Sequence, residues 1–278
     1  MIHRWLCSVL ISGAVLALSQ AASAQQAVRV KVDGATPDLR IDIPAQLYRP
    51  AAATPAPAVA IFHGCGGVGQ NNARMAEQLR GWGYVALVVD SFSSRGLKDV
   101  CGRNWPTQAE AEKRAFDIDA SLRWLAEQPY VRAGEVGFMG YSYGGGVATL
   151  RAFAPRVPAR VAVLVYPDCA LAEPLGPKLD LHQPTLVATG ALDDWTPVAT
   201  CEALFARIAA GRDLLEMHVY AGAHHSFDAL GLPVRYLDGV GNRSKPGGCC
   251  GAHYGANETA WKTFVADVKA FLGKHLPP

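Results

Sequence analysis

The chain has 278 residues, of which 50% are hydrophobic and 18% are charged, and its formal net charge at pH 7 is +2. This length supports one sizeable core and is too short for two ordinary domains joined by a linker. A nearly balanced charge without a clustered basic run excludes a typical nucleic-acid-binding surface.

The first 24 residues have the pattern of a secretory signal peptide. Met1–Arg4 supply a short basic start, Trp5–Leu18 is mainly apolar, and Ala22-Ser23-Ala24 has the small residues that signal peptidase accepts. The apolar stretch is shorter than the roughly 20 residues of a membrane-spanning helix, so no stable membrane anchor is expected. We predict cleavage after Ala24, a periplasmic or secreted location, and one folded domain over residues 25–278.

Two kinds of strand are predicted along the mature chain. Val28–Val32 and Leu39–Tyr48 alternate in polarity, which favours early antiparallel strands before a Pro/Ala-rich turn at Pro50–Pro57. The later apolar runs are continuous, which is typical of strands buried on both faces of a parallel sheet. These predicted strands are Ala58–Phe62, Tyr84–Val89, Val136–Met139, Arg160–Tyr166, Thr185–Thr189 and Leu215–Tyr220.

Amphipathic segments with a period near 3.6 separate these strands and predict helices. Pro106 and Pro197 fit the first turns of two of them. The alternation of strands and helices predicts a three-layer α/β fold, with a mostly parallel central sheet and helices on both faces. The Gly-rich segment Asp228–Gly255 is long for a plain loop and is interpreted as a functional or cross-linked insertion. The predicted helices are Asn71–Arg80, Thr107–Glu127, Gly144–Phe153, Val198–Ala210 and Glu258–Leu272.

The most specific chemical motif is Gly140-Tyr141-Ser142-Tyr143-Gly144, which follows a predicted buried strand and opens a Gly-rich helix. A nucleophile elbow needs this pattern, because its central residue occupies a strained turn and bulky side chains two residues away would collide. The G-x-S-x-G pattern alone is common, but its position between strand and helix favours the elbow over a simple glycine turn. Ser142 is therefore the predicted nucleophile.

An acid and a histidine follow in order, each just beyond a predicted strand. Asp193 lies after Thr185–Thr189, and His225 lies after Leu215–Tyr220. Serine, then acid, then histidine is the chain order of the α/β-hydrolase triad, in which the imidazole accepts the serine proton and the carboxylate orients the imidazole. Asp194 and His224 are the alternatives at the two positions, and we favour Asp193 and His225.

A glycine-rich loop, His63-Gly64-Cys65-Gly66-Gly67, directly follows the strand Ala58–Phe62. Its small residues allow backbone N–H groups to turn toward a nucleophile, which is the requirement of an oxyanion hole. We predict that the backbone N–H groups of Cys65 and Tyr143 are the two donors. A flexible glycine turn without this role is the alternative, and Cys65 as a second nucleophile is disfavoured because no elbow surrounds it.

Six of the seven cysteines belong to the mature chain, and an even number in an exported protein favours disulfides. The strands before Cys169 and Cys201 should be neighbours, which predicts a bridge between them. Cys101 is predicted to pair with Cys249 or Cys250. No Cys/His spacing typical of a zinc site is present, so we expect no metal and no cofactor.

At these motifs the sequence resembles the dienelactone hydrolase family of α/β-hydrolases. The resemblance spans most of the mature chain and implies the hydrolase fold and the roles of Ser142, Asp193 and His225. The family's founding enzymes have cysteine at the elbow, so Ser142 points to a serine esterase branch. Those enzymes also hold a substrate carboxylate with arginines; Arg95 lies in roughly the corresponding loop, although a solvated loop arginine is the preferred interpretation. The matching segments are Phe62–Gly67, Val88–Phe92, Gly140–Gly145, Leu192–Pro197 and His225–Phe227.

The expected substrate is a small-molecule carboxylic ester. Tyr143, Trp195 and Phe227 flank the predicted triad and favour a pocket for apolar or aromatic groups, whereas Tyr141 is expected to pack in the core and Trp105 to lie in a nearby loop. A peptidase or amidase of the same fold and a dienelactone-type lactone hydrolase are the alternative enzymes. A non-catalytic exported binding protein is the alternative from another class.

Overall fold

The computed structural model describes residues 25–34, 36, 39–51, 54–102 and 106–278, so the predicted signal segment and Trp105 lie outside the described residues. The α-helices are α1 (Gln70–Gly81), α2 (Gln108–Ala126), α3 (Tyr143–Phe153), α4 (Val198–Phe205) and α5 (Glu258–His275). The strands are β1 (Gln25–Asp33), β2 (Arg40–Tyr48), β3 (Ala56–Phe62), β4 (Val85–Val89), β5 (Val131–Tyr141), β6 (Ala162–Val165), β7 (Leu179–Asp180), β8 (Thr185–Gly190), β9 (Ile208–Ala210), β10 (Leu215–Tyr220), β11 (Arg235–Leu237) and β12 (Ala252–Tyr254).

The central sheet has eight strands in the order β1-β2-β4-β3-β5-β6-β8-β10. The pairs β1–β2 and β2–β4 are antiparallel, and all later neighbours are parallel. The carboxyl ends of β5, β6, β8 and β10 therefore meet at one edge of the sheet. The predicted α/β-hydrolase architecture, with a mostly parallel sheet, is confirmed.

Helices cover both faces of the sheet, and the alternation of side chains along β3 shows how. Ala58, Ala60 and Phe62 pack in the core beneath α2 and α3. Val59 and Ile61 point to the opposite face and pack in the core beneath α1 and α5. Because both faces of the strand are buried, its residues are apolar without alternation.

One predicted helix is too long. The segment Val198–Ala210 was expected to be helical throughout, but α4 ends at Phe205 and residues 208–210 form β9. β9 pairs in parallel with β7, and Gly211 at φ 75° turns the chain into the next segment. Pairing with a distant strand has replaced the last helical turn, which a local apolar period cannot reveal.

The two prolines also lie earlier than expected, before the first turns of their helices. Pro197 is the N-cap residue of α4 rather than a residue of its first turn. Pro106 precedes Thr107, which caps α2 and forms a capping box with Glu110. Both prolines still mark helix starts, because a fixed φ and a missing N–H are tolerated there.

The structure pairs Cys169 with Cys201, as predicted, with their Cα atoms 5.1 Å apart. The predicted pairing of Cys101 with the Gly-rich insertion is wrong. Cys101 is bonded to Cys65, and the neighbouring Cys249 and Cys250 are paired with each other. The loop before Cys101 runs alongside the glycine loop, where Val100 N donates to Cys65 O at 2.9 Å, and this contact brings the two sulfur atoms together.

The insertion Asp228–Gly255 contains a short antiparallel ladder between β11 and β12. The insertion is attached to Asp194, which lies in the loop between β8 and α4. The backbone O of Asp194 accepts from Asn242 Nδ2 at 2.9 Å and from Ser244 Oγ at 3.1 Å. The Asp194 carboxylate accepts from His253 N at 2.7 Å. Across the described ranges of the chain, no helix combines the length and apolarity needed to cross a bilayer.

Candidate active site

Ser142 occupies the sharp turn between β5 and α3. Its backbone is at φ 53° and ψ −119°, a strained conformation for a residue with a side chain. A Cβ on Gly140 would collide with Gly144 O, and a Cβ on Gly144 would collide with His63 O. Both glycines are therefore required for the turn that presents the Ser142 hydroxyl at the carboxyl edge of the sheet.

Three side chains that are distant in the sequence meet at this edge. His225 Nε2 lies 2.8 Å from Ser142 Oγ, and His225 Nδ1 lies 2.8 Å from Asp193 Oδ2. Ser142, Asp193 and His225 are 5%, 5% and 1% exposed. With its proton on Nδ1, the imidazole donates to the carboxylate and accepts from the hydroxyl. The arrangement can therefore move a proton off Ser142 and stabilise the imidazolium that results.

The Asp193 carboxylate is oriented by its own loop. Asp193 Oδ1 accepts from Trp195 N at 2.9 Å and from Thr196 N at 2.8 Å. The Thr196 hydroxyl lies 3.1 Å from Oδ2. These contacts leave Oδ2 directed at the imidazole of His225, and they form because residues 193–196 turn immediately after β8.

The neighbouring alternatives point elsewhere. Asp194 binds His253 through its carboxylate, with Oδ2 2.9 Å from Nδ1, and so attaches to the insertion. The His224 ring lies 5.4 Å from the His253 ring, between centroids. Neither Asp194 nor His224 has a contact with Ser142 among the described hydrogen bonds.

Two aromatic rings contact the imidazole. The ring centroids of Tyr166 and Trp195 lie 4.7 Å and 4.9 Å from that of His225. Trp195 Nε1 donates to Gly241 O at 2.8 Å, so the insertion also holds the indole in place. The rings restrict the rotation of His225 and exclude water from its faces.

The glycine loop lies against Ser142. A Cβ on Gly64 would be 3.4 Å from Ser142 Cβ and 3.9 Å from Oγ, which is ordinary van der Waals contact. Burial, followed by the charge of Arg114, lowers the pKa of His63 to about 3. A neutral His63 accepts from Ser91 N at 3.2 Å through Nε2 and contacts Gly64 O at 2.7 Å through Nδ1. The start of the loop is thereby fixed beside the hydroxyl.

A cavity of about 360 Å³ opens at Ser142 and His225. Trp195 lines it, as expected of a pocket residue, and Tyr141 reaches it from the core. Its remaining walls come from the glycine loop, the loop after β4, α1, the residue after β6 and the insertion, including Asn71, Cys101, Tyr166, Leu237, Val240 and Tyr254.

The other two predicted pocket residues lie elsewhere. Phe227 is fully buried, with its ring 5.5 Å from that of Phe264 between centroids. The Tyr143 side chain lines a second cavity of about 450 Å³, beside Arg114, whose Cζ lies 4.9 Å from the Tyr143 ring centroid. The backbone of Tyr143 adjoins Ser142 because the two residues are consecutive.

Arg95 is held in an ion pair inside the protein. Its guanidinium binds the buried carboxylate of Asp117 through two hydrogen bonds of 2.8 and 2.9 Å, and it donates to Ser91 O at 2.6 Å. The preferred interpretation of a solvated loop residue is therefore wrong. The ion pair occupies Nη1 and Nη2, an edge of the guanidinium that could otherwise bind a substrate carboxylate.

Sequence reasoning did not identify Tyr166, Thr196 or the insertion residues as parts of this site. For Tyr166 a signal exists, because it directly follows an apolar strand whose end lies at the same edge as Ser142. Thr196 lies in the segment Leu192–Pro197 that carries the family resemblance, but the sequence alone gives it no role of its own. Nothing local distinguishes Leu237 or Val240, because their approach to the cavity depends on how the insertion folds back. Among the described residues, no group of three or more His, Cys, Asp or Glu side chains has the geometry of a metal site.

A buried carboxyl lies behind the site and makes stability depend on pH. Asp228 is fully buried, accepts from Tyr166 Oη at 2.6 Å and from Asn71 Nδ2 at 3.0 Å, and burial raises its pKa. A pKa above that of the unfolded chain, about 3.9, means that the folded state binds the proton more tightly. The stability that protonated Asp228 gives to the folded state, relative to the ionised form, is fully present below about pH 3.9. It is lost as pH rises through the pKa that Asp228 has in the folded protein.

We therefore expect the wild type to lose stability relative to Asp228→Asn as pH rises above about 4. The difference should grow by about 1.4 kcal/mol for each pH unit between the two pKa values. Urea unfolding of both proteins from about pH 4 to 8 measures it. Parallel stability curves would contradict a raised pKa at Asp228.

Comparison with known proteins agrees with this fold. A model described as the dienelactone hydrolase family matches residues 43–275. A Bradyrhizobium protein named a probable 2-oxo-3-(5-oxofuran-2-ylidene)propanoate lactonase is 28% identical over 193 residues, covering 66% of this chain and 78% of the relative.

Two solved structures share the fold at lower identity. A dienelactone hydrolase of Anabaena variabilis has a TM-score of 0.62 at 20% identity, covering 91% of this chain and 98% of its own. An esterase of Pyrococcus furiosus has a TM-score of 0.61 at 15% identity, covering 91% of this chain and 93% of its own. Since the family match extends over most of its length, the chain belongs to the dienelactone hydrolase family.

Proposed function

We propose that this protein is a serine hydrolase that cleaves carboxylic esters of small apolar or aromatic substrates. The observation that carries the proposal is the buried contact of 2.8 Å between Ser142 Oγ and His225 Nε2, with Asp193 at 2.8 Å from the other ring nitrogen. A hydroxyl in contact with an oriented imidazole is the requirement for an activated serine nucleophile.

Ser142 Oγ attacks the carbonyl carbon of the ester while His225 Nε2 takes the hydroxyl proton. Asp193 stabilises the imidazolium. Collapse of the tetrahedral intermediate transfers that proton to the leaving alcohol and forms an acyl-enzyme. Water, deprotonated by His225, then attacks the acyl carbon, releases the acid and restores Ser142.

The negative oxygen of the tetrahedral intermediate is bound by the backbone N–H groups of Cys65 and Tyr143. Tyr143 is the first residue of α3, so its N–H lies at the positive end of the helix dipole. Cys65 follows Gly64, whose close approach to Ser142 supports the second donor. Such donors act on charge that develops only in the transition state.

The test is activity-based labelling of the mature chain with a fluorophosphonate, combined with a panel of p-nitrophenyl esters, lactones and peptides. We expect covalent labelling at Ser142 and turnover of the esters. Turnover of peptides without turnover of esters would instead identify a peptidase. Absence of both labelling and turnover would favour a binding protein built on this fold.

Lactone hydrolysis is a second candidate function, favoured by the 28% identity with the named lactonase. A lactone is an intramolecular ester, so the same steps apply, except that the leaving alcohol stays attached to the acyl group. Lactones in the panel distinguish the two functions through the ratio of their kcat/KM to that of open-chain esters.

The insertion limits the length of the acyl group that the cavity accepts. Leu237 and Val240 line the cavity together with Tyr254. The double substitution Leu237→Ala and Val240→Ala should raise kcat/KM for eight-carbon acyl esters relative to four-carbon ones by at least about tenfold, because one or two of the four additional methylenes, at about 1 kcal/mol each in an apolar pocket, are enough for that ratio. A chain-length series of p-nitrophenyl esters measures this ratio, with the exposed Val219→Ala as control. An unchanged ratio would contradict a wall at these residues.

Export is part of the same proposal. The N-terminal 24 residues have a signal-peptide pattern, and two disulfides join distant parts of residues 25–278, which we take as one domain. Disulfides persist in oxidising compartments. N-terminal sequencing of protein recovered from the periplasm or medium should start at Gln25; recovery of only the uncleaved chain from the cytoplasm would contradict export.

A further inference from the structure

The disulfide between Cys65 and Cys101 lies in the wall of the cavity at Ser142, since both residues line that cavity. Cys65 is in the glycine loop, and Cys101 is in the loop that follows β4. Their Cα atoms are 5.0 Å apart, and a Cβ on Gly66 would lie 3.9 Å from Cys101 Sγ. The bridge therefore holds the tip of the glycine loop.

Beyond its first residue, the glycine loop is held at Cys65, where Val100 N donates to the backbone O at 2.9 Å and where the disulfide is attached. His63 is fixed by Ser91 N and by Arg114 Nη2, which donates to His63 O at 2.6 Å. In the tetrapeptide at 64–67, Cys65 supplies the only side chain. Glycine loses more conformational freedom on ordering than any other residue. A covalent bond at Cys65 reduces the number of alternative conformations open to this segment.

A chain of contacts links Cys101 to the imidazole of His225. Cys101 O accepts from Gly241 N at 3.1 Å, and Gly241 O accepts from Trp195 Nε1 at 2.8 Å. The Trp195 ring packs on His225 at 4.9 Å between centroids. The glycine loop, the insertion and the imidazole thus form one connected path, and its link to the glycine loop is covalent.

We propose that Cys65 and Cys101 are positioning residues, whose bridge holds the Cys65 N–H in the direction of the oxyanion. The inference rests on the proposed serine-hydrolase function. Since the N–H binds charge that exists only in the tetrahedral intermediate, the bridge acts on the transition state. Loss of the bridge should lower kcat with little effect on the binding of the uncharged ester.

The chain offers a matched control in its second long-range bridge. Cys169 and Cys201 enclose a similar length of chain, with a sequence separation of 32 against 36, and neither cysteine lines the catalytic cavity. Loss of either bridge should lower stability by a similar amount, because the loop-closure entropy returned to the unfolded chain is nearly equal. Only the bridge at Cys65 should affect the chemistry.

The test compares Cys65→Ala/Cys101→Ala with Cys169→Ala/Cys201→Ala at a temperature where both remain folded by circular dichroism. We expect kcat for p-nitrophenyl acetate to fall about 10- to 100-fold in the first variant, with KM within about threefold, and to change less than twofold in the second. A trifluoromethyl ketone, which forms a tetrahedral oxyanion adduct with the serine, should bind the first variant more weakly by a factor similar to the loss of kcat.

Should the first variant fail to fold, mild reduction of the wild type replaces it. Cys101 is partly exposed, as are Cys249 and Cys250, whereas Cys169 and Cys201 are both buried, at 1% exposure. A dithiol then opens the bridge at Cys65, giving two thiols in the protein and becoming a cyclic disulfide itself. Peptide mass mapping identifies the opened bridge. Activity should fall as that bridge opens and return on reoxidation.

Equal kcat values in the two variants, or full activity after the Cys65 bridge is shown to be open, would overturn the positioning role. Such a result leaves the proposed function intact if Ser142 is still labelled by a fluorophosphonate. Absence of labelling and turnover in the wild type would instead remove the proposed function itself.

Discussion

Replacing Ser142 by alanine is expected to lower kcat for p-nitrophenyl ester hydrolysis by about 10⁴- to 10⁶-fold. The substitution removes the atom that attacks the carbonyl and leaves only the contribution of substrate binding and of the oxyanion donors. Alanine fills the same turn, because both flanking glycines remain, so the fold should persist. Steady-state kinetics and circular dichroism measure the two effects.

Ser121→Ala is the matched control for this change. Ser121 is also a buried serine, but it lies on α2 away from the cavity, and its Oγ has no hydrogen-bond partner within the described part of the chain. Its loss should change kcat less than twofold. Wild-type activity in Ser142→Ala, or fluorophosphonate labelling at another serine, would contradict the assignment of the nucleophile.

Replacing Asp193 by asparagine is expected to lower kcat about 10⁴-fold, through the tautomer of His225. Trp195 N and Thr196 N both donate to Oδ1, so an asparagine must place its oxygen there. Its NH₂ group then faces His225 Nδ1 as a donor and drives the ring proton to Nε2. An imidazole protonated at Nε2 cannot accept the proton of Ser142.

Asp194→Asn provides the comparison at the adjacent position. Asp194 binds His253 in the insertion through its carboxylate, so its substitution should loosen that segment and lower kcat by less than about tenfold. Kinetics of both variants with the same ester measure the difference. A larger loss in Asp194→Asn than in Asp193→Asn would reverse the assignment of the acid.

The secondary structure was largely predictable because it depends on local pattern. The continuous apolar run Thr185–Thr189 indicated a strand buried on both faces, and β8 occupies Thr185–Gly190. The elbow was predictable for a related reason, since a residue in a strained turn needs glycines two positions away on each side. The end of α4 was missed because β9 forms by pairing with β7, a contact that no local period encodes.

In the candidate site, too, some features follow from local sequence and others depend on tertiary contacts. The order of serine, acid and histidine was visible, but adjacent pairs such as Asp193 and Asp194 are equivalent in sequence. The turn after β8 separates them, directing Asp193 at His225 and Asp194 at the insertion. Arg95 likewise could not be distinguished from a solvated arginine until its contact with Asp117 was known.

By itself, the sequence determined the succession of strands and helices, the elbow at Ser142 and the type of chemistry, because hydrophobic period and backbone strain act over a few residues. The tertiary structure alone decided which cysteines pair, which side chains wall the cavity and which acid meets the imidazole. These contacts join residues such as Cys65 and Cys101, which are 36 positions apart. Their approach depends on strand order and loop packing across the whole fold, and no short segment of sequence contains that information.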